Sequence, residues 1–214
     1  MNVGIIGSGQ VAQALARGFV ALGHQVKLGS RTPEKLSDFV EEQGDGASAG
    51  TFAEAAEFGE LGVVATLWSG TEQALELADG RRSLAGKIVI DVTNPLVFHE
   101  GGPPSLALGH TDSGGEQVQR WLPESRVVKA FNIVGNTLFF RPDLPGGPPT
   151  MFICGDDEQA RGTVGRLVED FGWPEVVDIG GIEGARLLEP VCILWVLYGV
   201  RTGGFEHAVK MLRR

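Results

Sequence analysis

Short apolar runs alternate along this chain with stretches whose apolar residues recur every three or four positions. Val3-Gly4-Ile5-Ile6 is a continuous apolar run of the kind carried by a strand buried on both faces. Residues 11–22 follow with Val11, Leu15, Phe19 and Leu22 on one helical face. Gly23 ends that helix, and residues 25–28 return as a second strand. Pro33 opens another helix at a position where its missing N–H costs nothing. Residues 61–65, 87–91, 126–130 and 151–154 are further short strands. Beyond Asp157 the pattern is helical to Phe171, with Ala160, Val164, Leu167, Val168 and Phe171 as its inner stripe. A last helical segment is predicted over about 183–212, broken near Gly203-Gly204. Two stretches rich in Gly and Pro, 95–115 and 141–149, read as loops, either functional or simply mobile. Strands alternating with helices in this way predict an α/β fold, a doubly wound and mostly parallel sheet.

The first strand runs into Gly7-Ser8-Gly9-Gln10-Val11-Ala12, a G-x-G-x-x-A pattern that opens the first helix. Such glycines mean little alone, but strand, tight turn, amphipathic helix and second strand here fall within one βαβ unit. This is the Rossmann-type arrangement. Gly7 permits the turn, Gly9 lets backbone approach a pyrophosphate, and Ala12 allows the helix to pack on the strand. Ser8, Gln10 and Val11 present N–H groups and the positive end of the helix dipole to the phosphates.

The second strand ends in Gly29-Ser30-Arg31-Thr32, with Lys35 one helical turn further on. A carboxylate at that place would hold the ribose 2′-hydroxyl of NAD and repel a 2′-phosphate. A guanidinium grips the phosphate instead, and Ser30 adds a hydroxyl donor. The expected cofactor is therefore NADP(H), and the expected activity that of an oxidoreductase.

Composition narrows the partners. A formal net charge of −9 disfavours nucleic acid and anionic membrane. The apolar run 191–200 is too short to span a bilayer. Residue 2 is polar and a strand begins at once, which leaves no room for a signal peptide. Cys154 and Cys192 lie in apolar surroundings as reduced, buried thiols. A cytoplasmic protein acting on a small-molecule acceptor is expected. No metal-ligand spacing, nucleophile elbow or neighbouring Cys–His pair is present in the sequence. His99, Glu100, His110 and Asp112 could supply a proton from the long loop, although solvated loop residues are the plainer reading.

Gly7-Ser8-Gly9, Gly29-Ser30-Arg31, Thr66-Leu67-Trp68, Val127-Val128-Lys129-Ala130-Phe131-Asn132, Cys154-Gly155-Asp156-Asp157 and Ala185-Arg186-Leu187-Leu188-Glu189-Pro190 together resemble the coenzyme F420 (deazaflavin)-dependent NADP oxidoreductase family. The same fold serves as the NADPH domain of STEAP-type metalloreductases. The resemblance implies that Ser30 and Arg31 hold the 2′-phosphate and that Thr66, Leu67 and Trp68 lie beside the nicotinamide. It implies that Asn94, followed by Pro95, lines the same cleft. Family members that use the deazaflavin carry His and Pro in the loop after the strand at 127–130, where this chain has Asn132-Ile133-Val134-Gly135-Asn136. That loop is expected to wall the acceptor site, making Asn132, Ile133 and Val134 the expected substrate-binding residues. Lys129 and Asn132 also resemble a lysine and an asparagine of hydroxyacid dehydrogenases. Their odd spacing would send them to opposite faces of an extended strand, against a joint active site.

One NADP-binding domain over 1–214 is expected, its nucleotide-binding core at about 1–180. The segment at about 181–214 closes the acceptor site or forms a homodimer seam, the arrangement the resemblance favours. The expected reaction is hydride transfer between NADPH and a deazaflavin (coenzyme F420) or flavin-like acceptor. Reduction of a small carbonyl or imine, or NADP(H) sensing without turnover, are the alternatives.

Overall fold

A six-stranded sheet forms the centre of the molecule, in a computed structural model that describes residues 1–213. Its first half comprises β1 (Asn2–Ile6), α1 (Gln10–Ala21), β2 (Gln25–Gly29), α2 (Ser37–Gln43), β3 (Ala47–Gly50) and α3 (Phe52–Phe58). The second half adds β4 (Leu61–Val64), α4 (Thr71–Leu77), α5 (Gly80–Ser83) and β5 (Ile88–Asp91). A small hairpin, β6 (Leu96–Val97) and β7 (Ser105–Leu106), precedes α6 (Gly114–Trp121) and β8 (Arg126–Lys129). Then come β9 (Thr150–Ile153), α7 (Glu158–Asp170), β10 (Glu175–Asp178) and α8 (Ala185–Thr202). The large sheet has the order β3-β2-β1-β4-β5-β8, and all its neighbouring strands pair in parallel. This is the Rossmann-type doubly wound order, which reverses direction between β1 and β4.

Strand parity explains why the apolar runs are continuous. Val3 and Ile5 of β1 pack with α1 and α7 residues such as Leu15, Phe19 and Val168, whereas Ile6 packs on the other face with Ala55 and Ala56 of α3. Gly4 lets α3 sit directly on β1, since a Cβ there would overlap the backbone carbonyl of Ala55. The larger core contains an aromatic cluster: Phe171 meets Phe19 and Phe131, and the buried Trp173 donates its Nε1–H to the carbonyl of Phe139 at 2.8 Å.

Several elements depart from the sequence expectation. β3 and α3 lie in a run of small and acidic residues that carries little periodicity, and α3 is held by a capping box between Thr51 and Glu54. α6 occupies a stretch with few apolar residues, its first turn capped by the Ser113 hydroxyl. β9 does not extend the large sheet as a strand. It pairs in parallel with β10, and only the antiparallel bridge between Lys129 and Cys154 links it to β8. The final helix stops at Thr202, because Gly203 turns left-handed (φ 75°). Residues after it run back along α8 instead of continuing the helix. The Trp195 indole N–H donates to the carbonyl of His207 at 2.8 Å, and Thr150 N–H donates to the carbonyl of Val209 at 2.9 Å.

Gly4→Ala should lower the urea unfolding midpoint by the equivalent of about 2 kcal/mol, because α3 must lift off the sheet to admit one methyl group. An unchanged midpoint would mean the helix yields freely at this contact.

Candidate functional site

The carboxyl ends of β1, β2, β4 and β5 open onto a cleft of about 830 Å³ at the point where the strand order reverses. Gly7 makes the turn out of β1 with φ 149°, and a Cβ there would overlap the carbonyl oxygen of Ala65 at the end of β4. Its N–H donates to the carbonyl of Gly29 at 3.2 Å, which ties the turn to the end of β2. Gly9 is the N-cap of α1; no side chain caps this helix, and its first turn contains no acidic residue. A Cβ on Gly9 would meet no protein atom within 4 Å. The uncapped N–H groups of α1 thus face the cleft with the positive end of the helix dipole, a cradle that suits a pyrophosphate.

Ser30 is buried at the end of β2, and its Oγ accepts the N–H of Thr32 at 3.1 Å, leaving the hydroxyl proton available. Arg31 and Lys35 are exposed beside it and make no salt bridge among the described residues. Two cations and a free hydroxyl donor fit a 2′-phosphate.

At the far end of the cleft, Thr71 donates its hydroxyl proton to the carbonyl of Leu67 at 3.1 Å and lies 2.9 Å from the Thr66 hydroxyl. With the Thr71 proton on the Leu67 carbonyl, Thr66 donates to Thr71 and keeps its lone pairs for a donor in the cleft. Trp68 stacks on Trp121 of α6, with ring centroids 5.4 Å apart and planes 30° from parallel. Asn94 exchanges hydrogen bonds with Asn132: its amide N–H donates to the Asn132 carbonyl at 2.8 Å and its side-chain oxygen accepts from Asn132 Nδ2 at 3.0 Å.

All the expected cofactor-binding positions line this one cleft: Gly7, Ser8, Gly9, Gln10, Val11, Ser30, Arg31, Lys35, Thr66, Leu67, Trp68 and Asn94. Asn132, Ile133 and Val134 do not line it; all are buried. The reason is local, since Phe131 takes a left-handed conformation (φ 60°) that turns the chain inward after β8. Asn132 touches the cleft only through Asn94. Of the loop residues considered as proton donors, none lines the cleft. His99 pairs with Ser105 at 2.8 Å, and Asp112 forms an ion pair with Arg120 at 2.7 Å. The sequence reading missed Phe52, Gln73, Leu77, Thr93 and Phe98, which are among the other lining residues. Only Thr93, next to Asn94, carried a usable signal, because it follows the strand end at Asp91.

Lys129 lies beneath the cleft with no exposed side-chain surface. Its ammonium donates to the Thr93 carbonyl at 2.6 Å and pairs with Asp91 Oδ2 and Glu189 Oε1, each at 2.9 Å. Burial works to lower the pKa of this amine, and attraction by Asp91 and Glu189 overcomes it and holds the pKa above the usual lysine value. Cys154 and Cys192 are both buried free thiols, pushed up by desolvation to about 12 and about 11.

Comparison with known proteins agrees with this geometry. Residues 2–95 match the family model described as NADP oxidoreductase coenzyme F420-dependent. A crystal structure of a protein assigned as an F420-dependent NADP-reductase, from Arthrobacter sp. FB24, superposes with a TM-score of 0.94 at 35% identity and covers 100% of both chains. The chain belongs to the F420-dependent NADP oxidoreductase family. It is also 31% identical to Metalloreductase STEAP3 of Rattus norvegicus over 89% of its length, and 32% identical to the F420-dependent NADP reductase of Methanocaldococcus jannaschii over 54%. It spans 36% of the metalloreductase and 52% of the archaeal protein. No helix among the described residues is long and apolar enough to cross a membrane.

Gly9→Ala should leave the urea midpoint within about 1 kcal/mol of the parent, since only the N-cap preference changes. The same methyl group fills the pyrophosphate cradle, so NADPH affinity measured by calorimetry should fall at least tenfold. Retained affinity would show that phosphate does not approach Gly9.

Proposed function

We propose that this chain is an NADP(H)-dependent oxidoreductase that passes hydride between NADPH and a deazaflavin or flavin-like acceptor. NADPH would supply the hydride, and a planar acceptor ring would take it up. The α1 N–H groups with Gly7, Ser8, Gly9, Gln10 and Val11 would bind the pyrophosphate, and Ser30, Arg31 and Lys35 the 2′-phosphate. Thr66, Trp68 and Asn94 would orient the nicotinamide. Leu67 and Phe98, exposed at 73% and 68%, would lose water on contact with a planar ring.

The character of the lining carries this reading. Its ionisable side chains are Arg31 and Lys35, both at the β2 end, whereas the far end offers hydroxyl, amide and apolar groups. Hydride passing between two carriers needs proximity and alignment, which such a surface supplies. Reduction of a carbonyl or imine would need a proton donor within reach. Family membership supports the same choice of cofactor and acceptor class.

We further propose that α8 pairs with α8 of a second copy, and that the dimer works in the cytoplasm. Leu187, Leu194 and Tyr198 follow helical spacing on one face and are 69%, 62% and 55% exposed. Contiguous apolar surface on a helix favours a partner. The two free, buried cysteines suit a reducing compartment.

NADPH oxidation with the deazaflavin coenzyme, FMN, ferric chelates and a panel of imines and carbonyls as parallel acceptors tests the reaction. Turnover with the deazaflavin or FMN, without an inflection near the imidazole pKa, is expected. Turnover of imines or carbonyls alone would overturn it. In the same assay Arg31→Ala should weaken NADPH binding by about 2 kcal/mol, the scale of a lost charge-assisted contact, and leave NADH unchanged. Sedimentation should find a dimer that Leu194→Glu dissociates; a monomeric parent at micromolar concentration would refute the seam.

A further inference from the structure

The buried Lys129 stands apart from the lining, yet its contacts reach two walls of the cleft. Asp91 Oδ1 accepts both the N–H of Thr93 at 2.9 Å and its hydroxyl at 2.7 Å, while Lys129 holds the Thr93 carbonyl. Thr93 is thus gripped at every polar atom, and it precedes Asn94 in the cleft floor. On the other side, Glu189 of α8 accepts the N–H of Gly115 at Oε1 and that of Gly114 at Oε2, each at 2.9 Å. Those amides begin α6, the helix that carries Trp121 beneath Trp68. Gly114 is itself the packing junction. A Cβ there would stand 3.0 Å from Glu189 Oε1, and 3.2 Å from both Pro95 Cδ and Trp68 Cζ3.

Such an arrangement is an expensive way to achieve stability alone. A buried ion pair seldom contributes more than apolar residues of the same volume, but here each of the three charged groups is tied to several fixed partners, which restricts its geometry. Asp91, Lys129 and Glu189 have no more than 1% side-chain exposure, and their polar atoms aim at the backbone of the two cleft-bearing segments.

We infer that Asp91, Lys129 and Glu189 form a positioning triad, which sets Thr93-Asn94 and the Trp68–Trp121 stack in register for the nicotinamide half of the cofactor. None of the three touches the cofactor site; they act through Thr93 and through the first turn of α6. The inference rests on the NADP(H) reading above. It goes beyond that reading by making a residue of α8 a determinant of how the far end of the cleft is shaped.

Glu189→Gln tests this, because the amide keeps the size of the side chain but turns an N–H donor towards donors. Adenosine 2′,5′-bisphosphate carries only the half of the cofactor that Ser30 and Arg31 would hold, so its affinity should stay within about twofold of the parent. NADPH should lose at least fivefold of its advantage over the bisphosphate. The far-ultraviolet circular-dichroism couplet of the stacked indoles should shrink without any ligand present. Should the single variant unfold, the neutral triple variant Asp91→Asn, Lys129→Met, Glu189→Gln replaces it, with the same loss expected. A folded variant that keeps both the affinity ratio and the couplet overturns the proposal, even if its melting temperature falls. A parent that does not prefer NADPH to NADH would refute the cofactor reading instead, and the couplet alone then decides for or against the triad.

Discussion

An ammonium group removed from water is tolerated only where acceptors surround it, and the shape of this molecule around β5 and β8 follows from meeting that demand. Lys129 projects from β8 into a space closed by β5, α6 and α8, and each of these contributes to the network around it. The carboxylate of Glu189 cannot move without leaving both the ammonium and the first amides of α6 unpaired. α8 is thereby fixed against the sheet and α6. The mostly apolar remainder of α8 could slide; Glu189, together with the ion pair between Arg186 of α8 and Glu116 of α6, gives it a register.

The cleft is a different kind of object, built on backbone more than on side chains. Gly7 and Gly9 act by lacking a Cβ, and α1 acts through N–H groups that no residue of its own occupies. Side chains enter at the two ends, where cations and a hydroxyl stand on one side and aromatic and amide groups on the other. On the proposed reading, selectivity for the cofactor and for the acceptor would reside in separate places. Each can change while the turn between β1 and α1 stays the same.

The end of the cleft around Gly7, Ser30 and Arg31 was legible in the sequence because its pattern is local. Glycine spacing, the residue after a strand, and a missing carboxylate at Arg31 are all read within a few positions. Residues such as Phe52, Gln73 and Phe98 reach the cleft from elements whose periodicity is weak or whose loop conformation has no pattern, so nothing in their neighbourhood announced them. The strand-parity argument assumed a strand reaching Asn132, whereas β8 ends at Lys129. It could not anticipate that Asp91 and Glu189, far away along the chain, would surround the lysine. Nor could it anticipate the left-handed Phe131 that hides Asn132, Ile133 and Val134 from the cleft. The apolar segment 191–200 is plain in the sequence, but the fold-back after Gly203 depends on contacts with Trp195 and Thr150 that only the folded chain creates.

That fold-back has a use of its own. β9 pairs with β10 on one side only, and a strand with a bare side is a template on which other chains can add. The Val209 carbonyl takes the N–H of Thr150, and the Met211 N–H meets the Thr150 hydroxyl at 2.9 Å. The returning segment thus occupies the first backbone donor of that side, where an added strand would have to begin.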